Sequence, residues 1–266
     1  MKCYICNSDK IGPYIDIDGY LIKRCMVCGH CITTPVPNNK DLKRLYNDNY
    51  FESHYEKADK GTREFKKQIT NNHHRLRLLG RFLANGKILD AGCGKGYFLY
   101  ACKKRYDCSG YDVTESNRDY IENELGIKFF CGEIDEIGSV FDAITLWHSL
   151  EHFRDPRGTL KDLLHLLRPD GIVIIEVPVY FGIDGVMQHD QWTNWDPPFH
   201  IHHFSKDSLF RMTEDLGLKI LTKKYYMSEY IKSELKRHFF FKFFARSIAR
   251  RFEGGSIAIV CKKISI

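Results

Sequence analysis

No stretch of the 266-residue chain approaches the run of about 18 apolar side chains that a membrane-spanning helix needs. The N-terminus reaches Cys3 before an apolar signal region can form. Neither export nor membrane spanning is expected, and the reading places the chain in the cytoplasm. Charge of one sign is also scarce. Forty Lys and Arg against 34 Asp and Glu leave a net +6, too little by itself to indicate a nucleic-acid partner. Without export, ten cysteines point to reduced thiols and metal rather than a disulfide framework. The length suffices for one full α/β core with a small module appended.

What the sequence does have begins at that module. Cys3-x-x-Cys6 and Cys25-x-x-Cys28 stand 18 residues apart, a spacing at which two short knuckles present four thiolates tetrahedrally to zinc. Gly29 follows the second pair where a tight knuckle needs a permissive backbone, and "YIDIDGYLIKR" reads as a hairpin turning at Asp18-Gly19. Residues 1–35 are too few to hold themselves by a core, so structural zinc, worth about 10–16 kcal/mol, would hold them. His30 and Cys31 lie too close behind the complete set to be needed. "TTPVPNN" is a turn-rich linker, and 36–85 read as linker and N-terminal helices.

From 86 to 266 the pattern alternates strand and helix. "KILDAGCGKGYFLYACKKR" is a strand, a glycine turn and a helix. The glycines let backbone amides approach a ligand, and the helix N-terminus behind them favours a negative group. Their spacing is G-x-G-x-G, not the G-x-G-x-x-G of dinucleotide sites, and Asp112 ends the next strand, "DCSGYD". An acid there accepts hydrogen bonds from both ribose hydroxyls and disfavours a 2′-phosphate. Further on, "ESNRDYIENEL" reads as helix, "GIKFFC" and "FDAITLW" as strands, "PRGTLKDLLHLL" as helix, "RPDG" as a turn and "IVIIEVP" as a buried strand. Ser205 can cap the helix "KDSLFRMTEDLG", and "LKILTKKYY" and "SIAIVCKK" are the last strands.

"ILDAGCGKGYF", Asp112, "FDAITLWHSLEHFRDP" and "LLRPDGIVIIEVP", in that order, resemble the successive motifs of the class I S-adenosylmethionine-dependent methyltransferases. The resemblance implies a Rossmann-like, doubly wound α/β fold with a seven-stranded sheet, here preceded by a small zinc ribbon. It assigns Asp90, Gly92, Cys93, Gly94 and Gly96 to the methionine end of the cofactor, Asp112 to its ribose, and Glu133 or Ile134 to its adenine. The CxxC pairs followed by "LYNDNYF" resemble a subgroup with an N-terminal zinc ribbon, many of whose members act on sugars or glycans. Among these the C-methylating enzymes run longer than this chain, which favours oxygen as the atom methylated.

"WHSLEHFRDP" carries His148-x-x-Glu151-His152, a spacing shared with a zinc-protease signature. A protease needs that spacing inside a long helix, whereas here a strand ends at Trp147 and a helix begins with Asp155 as N-cap and Pro156 at its first position. The segment is therefore a connection at a carboxyl strand end, where open α/β sheets bind ligands. Three readings stand. These residues shape the turn and line the cofactor site through Trp147 and His148; or a histidine takes a proton from the acceptor hydroxyl; or they bind a second divalent metal. The ubiquinone-pathway and small-RNA 2′-O-methyltransferases carry Glu-x-x-Glu-His here, the latter with a later histidine. The first Glu is His148 in this chain, which favours an ion softer than magnesium, or none. Later, in "DPPFHIHHFS", an extended backbone would point His200 and His202 one way and His203 the other. His148, His152, His200 and His202 are the candidate bases, and His148, Glu151, His152 and His200 the candidate second metal set. Trp192 and Trp195 can stack on a sugar or cover the core.

Residues 226–252 read as a helical insertion between the last two strands, mixing Lys and Arg with five phenylalanines from 239 to 244. That pattern is compatible with an anionic membrane surface at the inner face of the membrane, but a lid or a homodimer contact is the favoured reading. The leading expectation is an O-methyltransferase of a nucleotide sugar, glycan or related small metabolite, with a histidine base. The alternatives are an RNA methyltransferase gripping RNA through its ribbon, which the near-neutral charge of that ribbon argues against, and a scaffold with a degenerate cofactor pocket, which the intact glycines and acids argue against.

Overall fold

The computed structural model describes residues 1–45 and 58–264. All but Leu45 of the "LYNDNYF" motif lies outside the described residues. Among the described residues there are eleven strands: β1 (Ile11–Ile17), β2 (Tyr20–Cys25), β3 (Cys31–Thr34), β4 (Lys87–Ala91), β5 (Asp107–Asp112), β6 (Lys128–Cys131), β7 (Phe141–Trp147), β8 (Leu167–Pro178), β9 (His202–His203), β10 (Leu218–Met227) and β11 (Glu253–Lys263). They form a four-stranded sheet, β1-β2-β3-β9, and a seven-stranded sheet, β10-β11-β8-β7-β4-β5-β6. The second is the doubly wound sheet expected from the motifs. No helix among the described residues is long and apolar enough to cross a membrane.

The chain packs as two compact units. One comprises Asn38–Ser149, Thr159–Ile174 and the residues from Lys262. Its β7, β4, β5 and β6 are parallel, with Asp90 opposite both Gly110 and Thr145 and Asp112 opposite Cys131. That register brings the carboxyl ends of these strands level, which is where their polar residues fall. Ile88, Leu89, Ala143 and Ile144 are fully buried, as strands covered on both faces must be, and burying each large side chain contributes roughly 1.5–3 kcal/mol. Behind the glycine turn the helix Tyr97–Cys102 buries Tyr97, Phe98, Leu99 and Cys102.

Two local readings of this unit change. The expected regular helix in "ESNRDYIENEL" is a π-type turn over Tyr120–Glu124, because the Leu125 amide bonds back to the Tyr120 carbonyl. The widened turn sets Ile121 and Leu125 against Gly96, where an added Cβ would come within 3.2 Å of Leu125 Cδ1. The "RPDG" turn is absorbed into β8 as an irregular entry, with Asp170 left-handed (φ 64°) and its carboxylate 3.1 Å from Lys262 Nζ.

The other unit comprises Met1–Pro37, Leu150–Gly158 and Ile175–Cys261. The β1–β2 hairpin turns at Asp18 (φ 50°) and Gly19 (φ 81°), the pair of left-handed residues a two-residue hairpin turn demands. β3 pairs with the histidine strand β9, Cys31 opposite His203 and Ile32 opposite His202. The cysteine-bearing segment is thus not the free-standing module its length suggests. It shares a core of Ile22, Cys31, Tyr180, Trp192 and Trp195, so both tryptophans cover the core. Arg157 donates to the Ile5 carbonyl (2.7 Å), and Ser205 Oγ to that of Cys28 (3.1 Å). Asp155 caps the helix Pro156–His165 through the Gly158 amide (2.9 Å), and Ser205 closes a capping box with Ser208 on the helix Lys206–Asp215.

The 226–252 insertion is not one helix. β10 runs on to Met227, and two short helices, Glu229–Arg237 and Ala245–Ala249, flank a turn at 238–244 that holds all five phenylalanines. Five large aromatics in six positions leave no polar face, so helical amphipathicity breaks down there.

Candidate active site

The glycine turn is built by backbone freedom. Gly92, Gly94 and Gly96 have φ of 78°, 52° and 68°, the left-handed region open to glycine at least cost. At Gly92 space is short as well, since a Cβ would lie 2.4 Å from Ser149 Cβ. Ser149 donates to the Ala91 carbonyl (2.7 Å) and fixes the turn from the end of β7. Cys93 is buried under Gly110, where a Cβ would meet its sulfur at 2.7 Å, and burial raises its thiol pKa well above the usual value.

Two carboxylates face this turn. Asp112 accepts from the amides of Gly94 (3.0 Å) and Val113 (2.8 Å), one on each oxygen. A carboxylate oxygen accepts more than one hydrogen bond, so both remain able to receive a ribose hydroxyl. Burial pushes Asp112 up to about 6, against the pull of the amides of Gly94, Val113 and Thr114. Asp90 accepts from Thr145 Oγ1 at 2.6 Å. Burial raises it to about 7 and the nearby Asp112 charge adds to this, while the Thr145 bond and Arg75 oppose it. A pair of acids held this far up is suited to a cationic ligand.

Trp147 is buried, its ring edge-on to Phe98 with centroids 5.1 Å apart and beneath the Arg75 guanidinium at 5.2 Å. Its indole N–H has no hydrogen-bond partner, a donor that an anionic end of a ligand can satisfy. His148 follows in a left-handed conformation (φ 52°), sparsely populated for a non-glycine residue. Glu133 is exposed and Ile134 half-buried, just beyond the end of β6. Arg75 lies outside the motifs, and Thr145 and Ser149 lie within "FDAITLWHSLEHFRDP" without being singled out there; their places beside the glycine turn follow from strand register and packing.

In the other unit Glu151, His152 and His200 come together, their ligating atoms all within 4.8 Å of one another. Glu151 is fully buried. His152 Nδ1 lies 3.0 Å from the Phe199 carbonyl and His200 Nδ1 2.7 Å from that of Asn194. A carbonyl can only accept, so both rings carry hydrogen on Nδ1, which leaves Nε2 of the neutral ring with the lone pair, the arrangement usual for metal-bound histidine. The two rings meet edge to face at 4.7 Å. Two imidazoles and a carboxylate suit a divalent transition ion with open coordination positions.

His148 and His202 do not join this group. The rings of His200 and His202 take different partners, His200 beside the Asn194 carbonyl and His202 beside His30. His202 is buried, bonded through Nδ1 to His30 Nε2 (2.9 Å) and through Nε2 to the Arg154 carbonyl (3.2 Å). With both nitrogens engaged and burial lowering its pKa to about 4, it has no lone pair to offer an acceptor proton. It is a structural link rather than the base expected of it. His203 is likewise buried, bonded to Thr33 Oγ1 at 2.8 Å.

The four cysteines Cys3, Cys6, Cys25 and Cys28 converge, with Sγ–Sγ distances of 3.6 Å for Cys3–Cys28 and 3.5 Å for Cys6–Cys25. Tetrahedral zinc with Zn–S near 2.3 Å places sulfurs about 3.8 Å apart, so the set fits that ion. Both knuckles close with the amide four positions on returning to the first cysteine's carbonyl, Asn7 to Cys3 (2.9 Å) and Gly29 to Cys25 (3.0 Å). The hydrogen bond from Cys28 holds the Cys3 thiol below its ordinary pKa.

A family model described as a methyltransferase domain matches residues 63–223. A ubiquinone biosynthesis O-methyltransferase of Parvibaculum lavamentivorans is 32% identical over 98 residues, covering 34% of this chain and 39% of the relative. That of Idiomarina loihiensis is 28% identical over 149 residues, 50% of this chain and 61% of the relative. The chain thus spans less than two thirds of the length of these curated relatives, 39% of one and 61% of the other. Among solved structures, magnesium protoporphyrin IX methyltransferase of Synechocystis PCC 6803 with bound SAH superposes with a TM-score of 0.59 at 12% identity, over 85% of this chain and all of that one, a likeness of fold. With the family model covering more than half of its residues, the chain belongs to the methyltransferase-domain family, on a fold shared with solved S-adenosylmethionine-dependent methyltransferases.

Proposed function

We propose that the protein transfers a methyl group from S-adenosylmethionine to a hydroxyl of a small metabolite. The cofactor supplies a methyl on an already activated sulfonium, so the protein's work is to align the acceptor and exclude water. Asp112 holds the ribose hydroxyls. Asp90 and the amides of the glycine turn hold the methionine end, where the Trp147 N–H can answer its carboxylate, and Glu133 or Ile134 borders the adenine. The observation that carries this reading is the left-handed glycine turn with its Gly94 amide bonded to Asp112 at 3.0 Å. Oxygen as acceptor atom is supported by the two relatives, both O-methyltransferases. The nucleotide-sugar acceptor expected from the ribbon gains no support from them, so the reading stays at a hydroxylated small molecule.

Glu151, His152 and His200 serve the acceptor. A divalent ion held there would lower the pKa of a bound hydroxyl; without one, a neutral Nε2 of His152 or His200 can take the proton itself. The support is that both rings are fixed as Nδ1–H tautomers. Cys3, Cys6, Cys25 and Cys28 hold a structural zinc. Metal analysis of the purified protein tests both assignments. Two equivalents are expected in the wild type and one in His200→Ala, with methyl transfer to a panel of hydroxylated acceptors lost in that variant. One equivalent in the wild type, with activity surviving chelator, would leave the proton-transfer role alone.

A further inference from the structure

We infer that the turn at 238–244 is a membrane-docking tip that takes the surface of an anionic lipid bilayer. Phe239, Phe240 and Phe243 are 78%, 83% and 82% exposed, and Phe241 and Phe244 are also exposed. Phe239 and Phe240 touch edge to face at 5.8 Å. A cluster this apolar on the surface of a soluble domain marks something that covers it.

Charge identifies the occupant. Residues 229–252 hold seven Lys and Arg and two Glu, a net +5 in a chain whose total is +6. Both acids are answered locally, Glu229 by Lys232 and Glu234 by Arg237. Lys236, Lys242, Arg246, Arg250 and Arg251 are exposed around the aromatic tip with no acid of the segment left to answer them. Aromatic side chains ringed by cations match an interface that is apolar inside and anionic at its headgroups. A second copy would oppose +5 with +5, which like-charge repulsion disfavours.

The base of the insertion is rigid enough to present this tip. The buried carboxylate of Asp184 accepts from Ser228 Oγ, from the amides of Glu229 and Tyr230 (3.2 Å each) and from that of Gly255 (3.0 Å). The Ser228 side chain caps the first helix through the Ile231 amide at 2.9 Å. Ala245 and Ala249 are buried, and the Ala249 carbonyl receives the Ser228 amide. The two helices are therefore tied at their root while the phenylalanines stand clear.

Sedimentation of the full chain with vesicles tests this. With vesicles one-third phosphatidylglycerol in phosphatidylcholine, the wild type should bind, and binding should weaken as salt shortens the Debye length. Vesicles of phosphatidylcholine alone should bind at least about tenfold less. The triple variant Phe239→Ser, Phe240→Ser, Phe243→Ser and the double variant Lys242→Ser, Arg246→Ser should each lose about tenfold or more, with S-adenosylmethionine uptake unchanged. Hydrogen exchange on the wild type supplies a second readout: amides of 238–244 should gain protection when the anionic vesicles are added. The proposal is overturned by absence of binding, by equal binding to neutral vesicles, or by a triple variant that binds as the wild type does. Self-association or RNA binding that the triple variant abolishes would overturn it too, by naming a different occupant.

Discussion

On the proposed reading, single atoms at Gly92 and Asp112 decide whether S-adenosylmethionine fits. Gly92→Ala places a Cβ 2.4 Å from Ser149 Cβ on a backbone with φ of 78°. Ser149 is itself tied to Ala91, so the turn has to move, and calorimetry should show affinity for S-adenosylmethionine reduced at least about tenfold, with a lowered melting temperature. Asp112 and Asp90 give a pH signature. Both lie above the ordinary 3.8, at about 6 and about 7, so their contribution to the stability of the free protein is complete below pH 3.8 and is lost as pH rises through 6 and then 7. A bound sulfonium favours the ionised forms, so the rise in melting temperature on adding S-adenosylmethionine should be larger near pH 8 than near pH 5. In Asp112→Asn that difference should shrink; an unchanged pH dependence would remove Asp112 from the site. The left-handed turn at the glycines and the place of Asp112 at a strand end were legible in the sequence, because a strand, a turn and a strand-end acid have fixed spacing. Thr145 and Arg75 were not, because what brings them to Asp90 and Trp147 is register and packing between segments distant in sequence.

For the secondary-structure elements, the four-stranded sheet couples the cysteine knuckles to the histidine segment, since β3 carries β9 on its edge. Cys25→Ser should lose one equivalent of zinc and also loosen β9, lowering the melting temperature and raising hydrogen exchange at 202–203; a zinc-free protein with unchanged exchange there would separate the two. Asp184 is the corresponding anchor of the insertion. Asp184→Ala strips acceptors from four donors, three of them backbone amides, and should destabilise by about 3 kcal/mol or more in chemical unfolding, because buried donors are left unmatched. Neither coupling was legible. β9 is two residues long and has no strand pattern of its own, and nothing in "FGIDG" marks Asp184 as a cap for a helix that begins 45 residues later.

In the whole molecule, order of motifs carried the fold further than any single motif did. Four signatures in succession fixed the doubly wound sheet and the strand ends that matter. What they did not reveal was that the cysteine segment packs with 150–158 and 175–261, because its partners Tyr180, Trp192 and Trp195 read equally well as a sugar platform. The histidines divided for the same reason: His200 meets Glu151 and His152, while pairing with β3 draws His202 to His30. The claim on which the rest depends is that the glycine turn and Asp112 hold S-adenosylmethionine, and titration calorimetry of the wild type beside Asp112→Ala tests it most directly. One site per chain, competed by S-adenosylhomocysteine and weakened at least about tenfold in the variant, is the predicted result. No heat with the wild type, or equal affinity in the two proteins, would contradict it.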